Sequence, residues 1–203
     1  NVIKEQNNQY SAGKIGQEPI KDKQMFTYTI QTPERLSDPL QFIAGLKKLG
    51  FTRIEETSIG AVNVSKQYRK DYNSNQQHVI TSSCPTVNFE IAKYYNDKVQ
   101  YLSKVVSPMM AHNKIIKSRD KEVLTVFIGP CISKKEETTV CMSKDSCIDY
   151  VITFNDIREW LNEENIDINN LKPVPFDQES PSKTRWYPLS GGVEKATIKK
   201  ENE

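Results

Sequence analysis

Between Glu122 and Gly129 the sequence EVLTVFIG interrupts its apolar run only at Thr125. A strand with one wet face alternates apolar and polar residues, whereas a strand apolar on both faces must be covered on both. Parallel sheets between two helix layers provide that cover. The rest of the chain supplies the helices. MFTYTI (25–30), FTRIEET (51–57), HVITSS (78–83) and IDYVITF (148–154) read as further strands, rich in β-branched and aromatic residues. Between them, SDPLQFIAGLKKLG (37–50) has Leu40, Phe42, Ile43, Leu46 and Leu49 at helical spacing, with Pro39 in its first turn and Gly50 at its end. GAVNVSKQYRKDY (60–72), PTVNFEIAKYY (85–95), SPMMAHNKIIKS (107–118) and NDIREWLNEE (155–164) read as helices too, two of them opening on proline. Strands alternating with helices give an α/β chain with mostly parallel sheets flanked by helices.

The 203 residues suffice for one domain or two small lobes. Residues 1–24 are polar and read as an N-terminal arm, 25–193 as the α/β domain, and 194–203 as a polar tail. The start at Asn1 and the polar end suggest a piece of a longer protein. With 28 basic against 26 acidic residues, interleaved as in KSRDKE, no basic stripe is available for nucleic acid. The apolar runs are too short to span a bilayer, and no signal peptide is visible. The expectation is a soluble, cytoplasmic protein without nucleic-acid or membrane partners.

Cysteine placement carries the chemistry. VITSSCPTVNFEIAKYY puts Cys84 where a strand runs into a helix, and VLTVFIGPCISKKEE repeats the arrangement at Cys131, each beside a proline. Ligands of open parallel sheets collect at the carboxyl ends of strands, so the two thiols are expected to share a crevice. A helix N-terminus after Cys84, and Lys134 and Lys135 after Cys131, favour the thiolate that binds iron or attacks an electrophile. Against this stands the reading of both as small buried hydrophobes. A cysteine-nucleophile enzyme lacks a base tied to either thiol, since His78 falls on a strand and His112 on a helix. Cys141 and Cys147, in CMSKDSC, could close a small loop if oxidised; without a secretion signal, free thiols are favoured. Met109 and Met110 read first as core, Ser107 as a helix cap, and Trp160 and Trp186 as core or lobe contacts.

ITSSCPTVNFEIAKYY, VVSPMMAHNKIIK, VFIGPCISKKEE, IDYVITFNDIREWL and YPLSGGV come in the order and spacing of the catalytic domain of iron-only hydrogenases, which the chain resembles from about residue 25 to 193. The similarity is to the divergent sensory branch of that family. It implies a partial two-lobed hydrogenase-like domain, with Cys84 and Cys131 as two ligands of a 4Fe-4S cluster, with or without a di-iron subcluster, in the full-length protein. It places Ser107, Met109, Gly129 and Lys134 against the cofactor, and Ser83 and Glu137 on a proton route. Ser83 stands where catalytic members carry a relaying cysteine, and Gly129 where they carry a methionine. No cysteine follows Cys147, so the family's final cysteine pair is absent and this piece alone should hold no complete cofactor. The resemblance therefore implies further domains of the same chain supplying the remaining ligands, and an electron-transfer or signalling partner. Three functions stay open: a hydrogen or redox sensor, an active hydrogenase, and a metal-free interaction domain on the same fold.

Overall fold

In the computed structural model, residues 25–29, 39–74, 78–139, 147–180 and 182–197 are described. Strands β1 (Met25–Thr29), β2 (Arg53–Glu56), β3 (Leu124–Gly129) and β4 (Tyr150–Thr153) form one sheet in the order β2-β1-β3-β4. Every pairing is parallel. The helices are α1 (Pro39–Lys48), α2 (Ser58–Asn73), α3 (Pro85–Tyr94), α4 (Pro108–Arg119), α5 (Ser133–Thr139), α6 (Phe154–Glu163) and α7 (Gly192–Thr197).

Strand β3 behaves as its composition requires. Val126 and Ile128 pack with Phe42, Ile43 and Leu46 of α1 and Ile157 and Trp160 of α6. Phe127, between them in sequence, packs with Met109, Met110 and Ile116 of α4. Alternate side chains thus leave the sheet on opposite faces and both are covered. The chain order turns back between β1 and β3, and this switch point is where parallel sheets open a crevice at their carboxyl ends.

Several expected elements are placed differently. HVITSS is no strand of the sheet; only Ile80 bridges, to Leu102, because its N–H donates to Tyr101 and its carbonyl accepts from Ser103. Residues 133–139, expected in a charged loop, form α5, with Glu136 in the first turn and a Lys134–Glu137 pair one turn apart. The proline-rich end contains a 3-10 turn at Ser182–Trp186 before α7, whose last residues come from the stretch expected as a polar tail. Cys147 is disulfide-bonded rather than a free thiol. The arm 1–24 and Cys141 lie outside the described residues.

The β4–α6 junction is closed by a capping box. Thr153 Oγ1 accepts from Asp156 N at 3.3 Å, and Asp156 Oδ2 accepts from Thr153 N at 2.8 Å. Thr153→Ala is expected to destabilise the domain by about 1 kcal/mol, read as a lower denaturant midpoint with an unchanged slope. An unchanged midpoint would remove the box from the account of α6.

Candidate functional site

A cavity of about 440 Å³ lies past the end of β3, and both free cysteines line it. Cys84 is the N-cap of α3 in extended conformation, with Pro85 as the first helical residue. Its thiol makes no capping bond, so the sulfur is not spent on the helix. Cys131 follows β3 by two residues, with exposed Pro130 between them.

Two contacts join the cysteine loops directly. Thr86 Oγ1 and Ser133 Oγ, each two residues past its cysteine, lie 2.6 Å apart. The Lys134 Nζ donates to Ser83 O at 3.1 Å. It also donates to Glu137 Oε2 at 2.7 Å, and Lys134 is only 5% exposed. Two of its three donors are thereby held by the protein's own groups.

The first-turn residues of three long helices border the cavity: Ser58 of α2, Pro85 of α3 and Pro108 of α4. Helix N-termini carry partial positive charge and unpaired N–H groups. Lys134 and Arg185 add cations, each already paired with carboxylates behind the wall, and no carboxylate is among the described lining residues. The space suits a compact anionic group that bonds to sulfur. An iron–sulfur cubane is such a group, and Cys84 and Cys131 could supply two of its thiolate ligands. The cubane takes four thiolates, and among the described residues no cluster of three or more His, Cys, Asp or Glu could hold a metal ion. The fit is therefore to half of a ligand set.

Of the residues singled out by sequence, Ser83, Cys84, Cys131 and Lys134 line this cavity. Glu137 reaches it through Lys134. Ser107 is 1% exposed and accepts from Met110 N at 3.4 Å as the cap of α4. Met109, fully buried, belongs to the core under β3. Gly129 faces the ring of Phe127, which a Cβ there would meet at 2.7 Å. Ser107, Met109 and Gly129 are not among the lining residues.

Sequence reasoning missed Tyr68, Tyr187, Thr184 and Arg185. Tyr187 lines the cavity and pairs with buried Ser65 at 2.8 Å, and burial pushes its hydroxyl up to about 12. Arg185 donates to Glu56 at 2.8 Å and Glu179 at 3.0 Å, which fixes the 182–186 turn over the site. Tyr68 could have been found as part of the α2 stripe Ala61, Val64, Ser65, Tyr68; no signal in the sequence brings residues 184–187 to it.

His112 of α4 and Glu55 of β2 form a fully buried pair, Nε2 to Oε2 2.8 Å, both 0% exposed. Glu55 Oε1 also accepts from Arg53 at 2.6 Å and Arg119 at 3.1 Å. Burial alone would raise the Glu55 carboxyl, but hydrogen bonds from His112 and Arg53 outweigh it and hold the group below its ordinary range. Burial pushes His112 down, against the upward pull of Glu55. The histidine is accordingly neutral at physiological pH and the glutamate ionised.

No helix among the described residues is long and apolar enough to cross a membrane. Compared with known proteins, residues 25–203 match the family described as the iron only hydrogenase large subunit, C-terminal domain. Iron hydrogenase 1 of Clostridium pasteurianum is 26% identical over 173 residues, covering 76% of this chain and 30% of that protein. The apo [FeFe]-hydrogenase HydA1 of Chlamydomonas reinhardtii, as a point variant, superposes with a TM-score of 0.71 at 21% identity, over 82% of this chain and 51% of that one. The HydA(deltaEFG) structure, described as revealing stepwise H-cluster assembly, gives 0.70 at 21% identity over 84% and 50%. The chain thus spans about half of each solved hydrogenase and under a third of the curated relative.

Proposed function

The chain belongs to the C-terminal domain family of the iron-only hydrogenase large subunit, and from that premise we propose that it is the part of a hydrogen- or redox-sensing protein that carries two ligands of an iron–sulfur cluster. Cys84 and Cys131 hold one edge of a 4Fe-4S cubane, and Lys134 donates to an anionic ligand of the bound group. Ser83 contacts it from the position before Cys84. The observation that carries this reading is the convergence of Cys84, Cys131 and Lys134 on one cavity whose two thiol loops are tied to each other. When bound, a cubane supplies one-electron redox chemistry and a di-iron subcluster would add chemistry on hydrogen.

Two features favour sensing over fast turnover. A thiol of ordinary pKa, about 8.5, exchanges protons near neutrality, and a serine hydroxyl does not ionise there. Gly129 leaves its space to Phe127, a core side chain, rather than adding a group to the cavity. The remaining thiolates come from the other part of the full-length chain. Exposed apolar side chains beside each cysteine, Val87 and Phe89 after Cys84 and Ile132 after Cys131, offer that part a surface.

Iron and acid-labile sulfide in the anaerobically prepared full-length protein provide the test. Cluster-level iron is expected in the parent and a drop of at least about tenfold in both Cys84→Ala and Cys131→Ala, since even outer-sphere ligand partners are worth that much. An iron-free, well-folded parent would overturn the cofactor reading. Rapid hydrogen turnover by the loaded protein would replace sensing with catalysis.

A further inference from the structure

The wall beside Cys84 has a built-in choice of hydrogen-bond polarity. Ser83 lines the cysteine cavity; Tyr68 lines a second cavity of about 470 Å³, and Thr81 and Val193 border both. Between them, the Tyr68 oxygen lies 2.9 Å from Ser83 Oγ and 3.2 Å from Ser82 Oγ. Ser82 N donates to the same oxygen at 2.9 Å, which takes one of its acceptor positions. The Ser82 hydroxyl proton goes to Val105 O at 2.5 Å. Ser82 Oγ can therefore only accept from Tyr68.

A phenol has one proton to give. If Tyr68 donates to Ser83, the Ser83 proton is released from Tyr68 and turns to the cavity as a donor. If Tyr68 donates to Ser82, its oxygen is open to the Ser83 proton, and Ser83 then shows the cavity only lone pairs. The second state has one more internal hydrogen bond; the first offers that bond to whatever occupies the cavity. The occupant decides between them.

We propose that Tyr68 is a positioning residue that switches Ser83 between donor and acceptor, so that the cavity wall can offer either a proton or a lone pair to an iron–sulfur group held by Cys84. This rests on the function proposed above. Tyr68 need not touch the cofactor: it is 2% exposed and acts through Ser83. The switch requires no ionised tyrosine, only rotation of two O–H bonds.

The test uses the full-length protein carrying Cys131→Ala, cyanylated at its free thiols, and takes the Cys84 nitrile stretch as the infrared difference from the same protein that also carries Cys84→Ala. A nitrile accepting a hydrogen bond absorbs at higher frequency than a free one, and no metal is needed for the reading. The parent is expected to show both components. Tyr68→Phe deletes one oxygen and leaves Ser83 no internal partner, so the free component should shrink; Ser83→Ala should shrink the hydrogen-bonded component to what solvent supplies at exposed Cys84. Melting curves of the two variants confirm that each is folded. A Tyr68→Phe spectrum identical to the parent's, or a hydrogen-bonded component as large in Ser83→Ala as in the parent, overturns the proposal. Iron loading of Tyr68→Phe in the otherwise unaltered protein is measured separately. Parent-level iron together with an unchanged nitrile spectrum sinks the switch alone, and iron missing from the parent sinks the cofactor reading.

Discussion

Glu55→Ala is expected to destabilise the domain by about 1–3 kcal/mol, the usual cost of leaving a buried hydrogen-bond donor unsatisfied. For a chain of this size that corresponds to a fall in Tm of roughly 5 °C. The deletion leaves His112 without its acceptor in a fully buried site, and removes the shared acceptor of Arg53 and Arg119. Glu55→Gln keeps the shape and one acceptor, so it should melt between the two. The parent's own pH dependence follows from the same cluster. Both groups have lower pKa values folded than unfolded. The unfolded chain therefore binds more protons, and stability falls with falling pH. The histidine contribution is present above 6.5 and is lost as pH drops from there toward its folded value. The glutamate contribution is present above 4.5 and is lost as pH falls through its folded value. Thermal melts at stepped pH should show the parent weakening first in the histidine range, and Glu55→Ala lacking the lower step. A variant that melts with the parent at neutral pH would refute the cluster's role.

Gly60→Ala is the second large effect. A Cβ at Gly60 would lie 2.1 Å from Pro108 O and 2.8 Å from both the backbone N and the Cβ of His112. These atoms are backbone and buried core, so α2 and α4 must move apart. Alanine would gain about 1 kcal/mol as a helix former, but overpacking of this kind typically loses about 1–3 kcal/mol and here displaces whole helices. Because Ser58, Ala61 and Pro108 all line the cysteine cavity, iron loading should fall together with stability. Gly45 is the internal comparison: its added Cβ would meet the Cγ2 methyl of Ile168 at 2.7 Å, a half-buried side chain on the short 3-10 turn Ile168–Asn170, where no backbone atom is in the way. Gly45→Ala should be the milder change in both melting and iron content. Equal melting of the two variants would show that the α2–α4 crossing is less tight than these distances imply.

The apolar run ending at Gly129 declares its burial on both faces in the sequence, and proline-led helices are legible at Pro85 and Pro108. Those are local signals, set by periodicity and by backbone chemistry. HVITSS misleads because β-branched residues fit any extended segment, and its partner, the 101–103 stretch, begins on the last residue of a 3-10 turn rather than in a strand. Helix α5 is hidden by its charge, since nothing apolar marks its face. The thiols are legible as a pair because the same local pattern occurs twice. Thr184 and Tyr187 are not, because a wall built from residues about a hundred positions apart leaves no trace in any one segment; Tyr68 shows only as a member of the α2 stripe. His112 reads in sequence as a surface or packed residue; it is packed, and the carboxylate that holds it sits on a strand 57 residues earlier.

Strand β2 is at the end of the sheet, and the segment around residue 178 lies along its outer edge. Ile54 N donates to Asp177 at 2.7 Å, Asp177 N to Ile54 O at 2.8 Å, and Glu56 N to Gln178 O at 3.1 Å. Ile54 and Asp177 are separated by 123 positions. A ribosome adds roughly 5–20 residues each second, so the emerging strand waits on the order of ten seconds for its covering. During that interval its N–H and C=O groups are open to any other extended chain. The 177–180 segment, made last, is what closes this edge against such pairing.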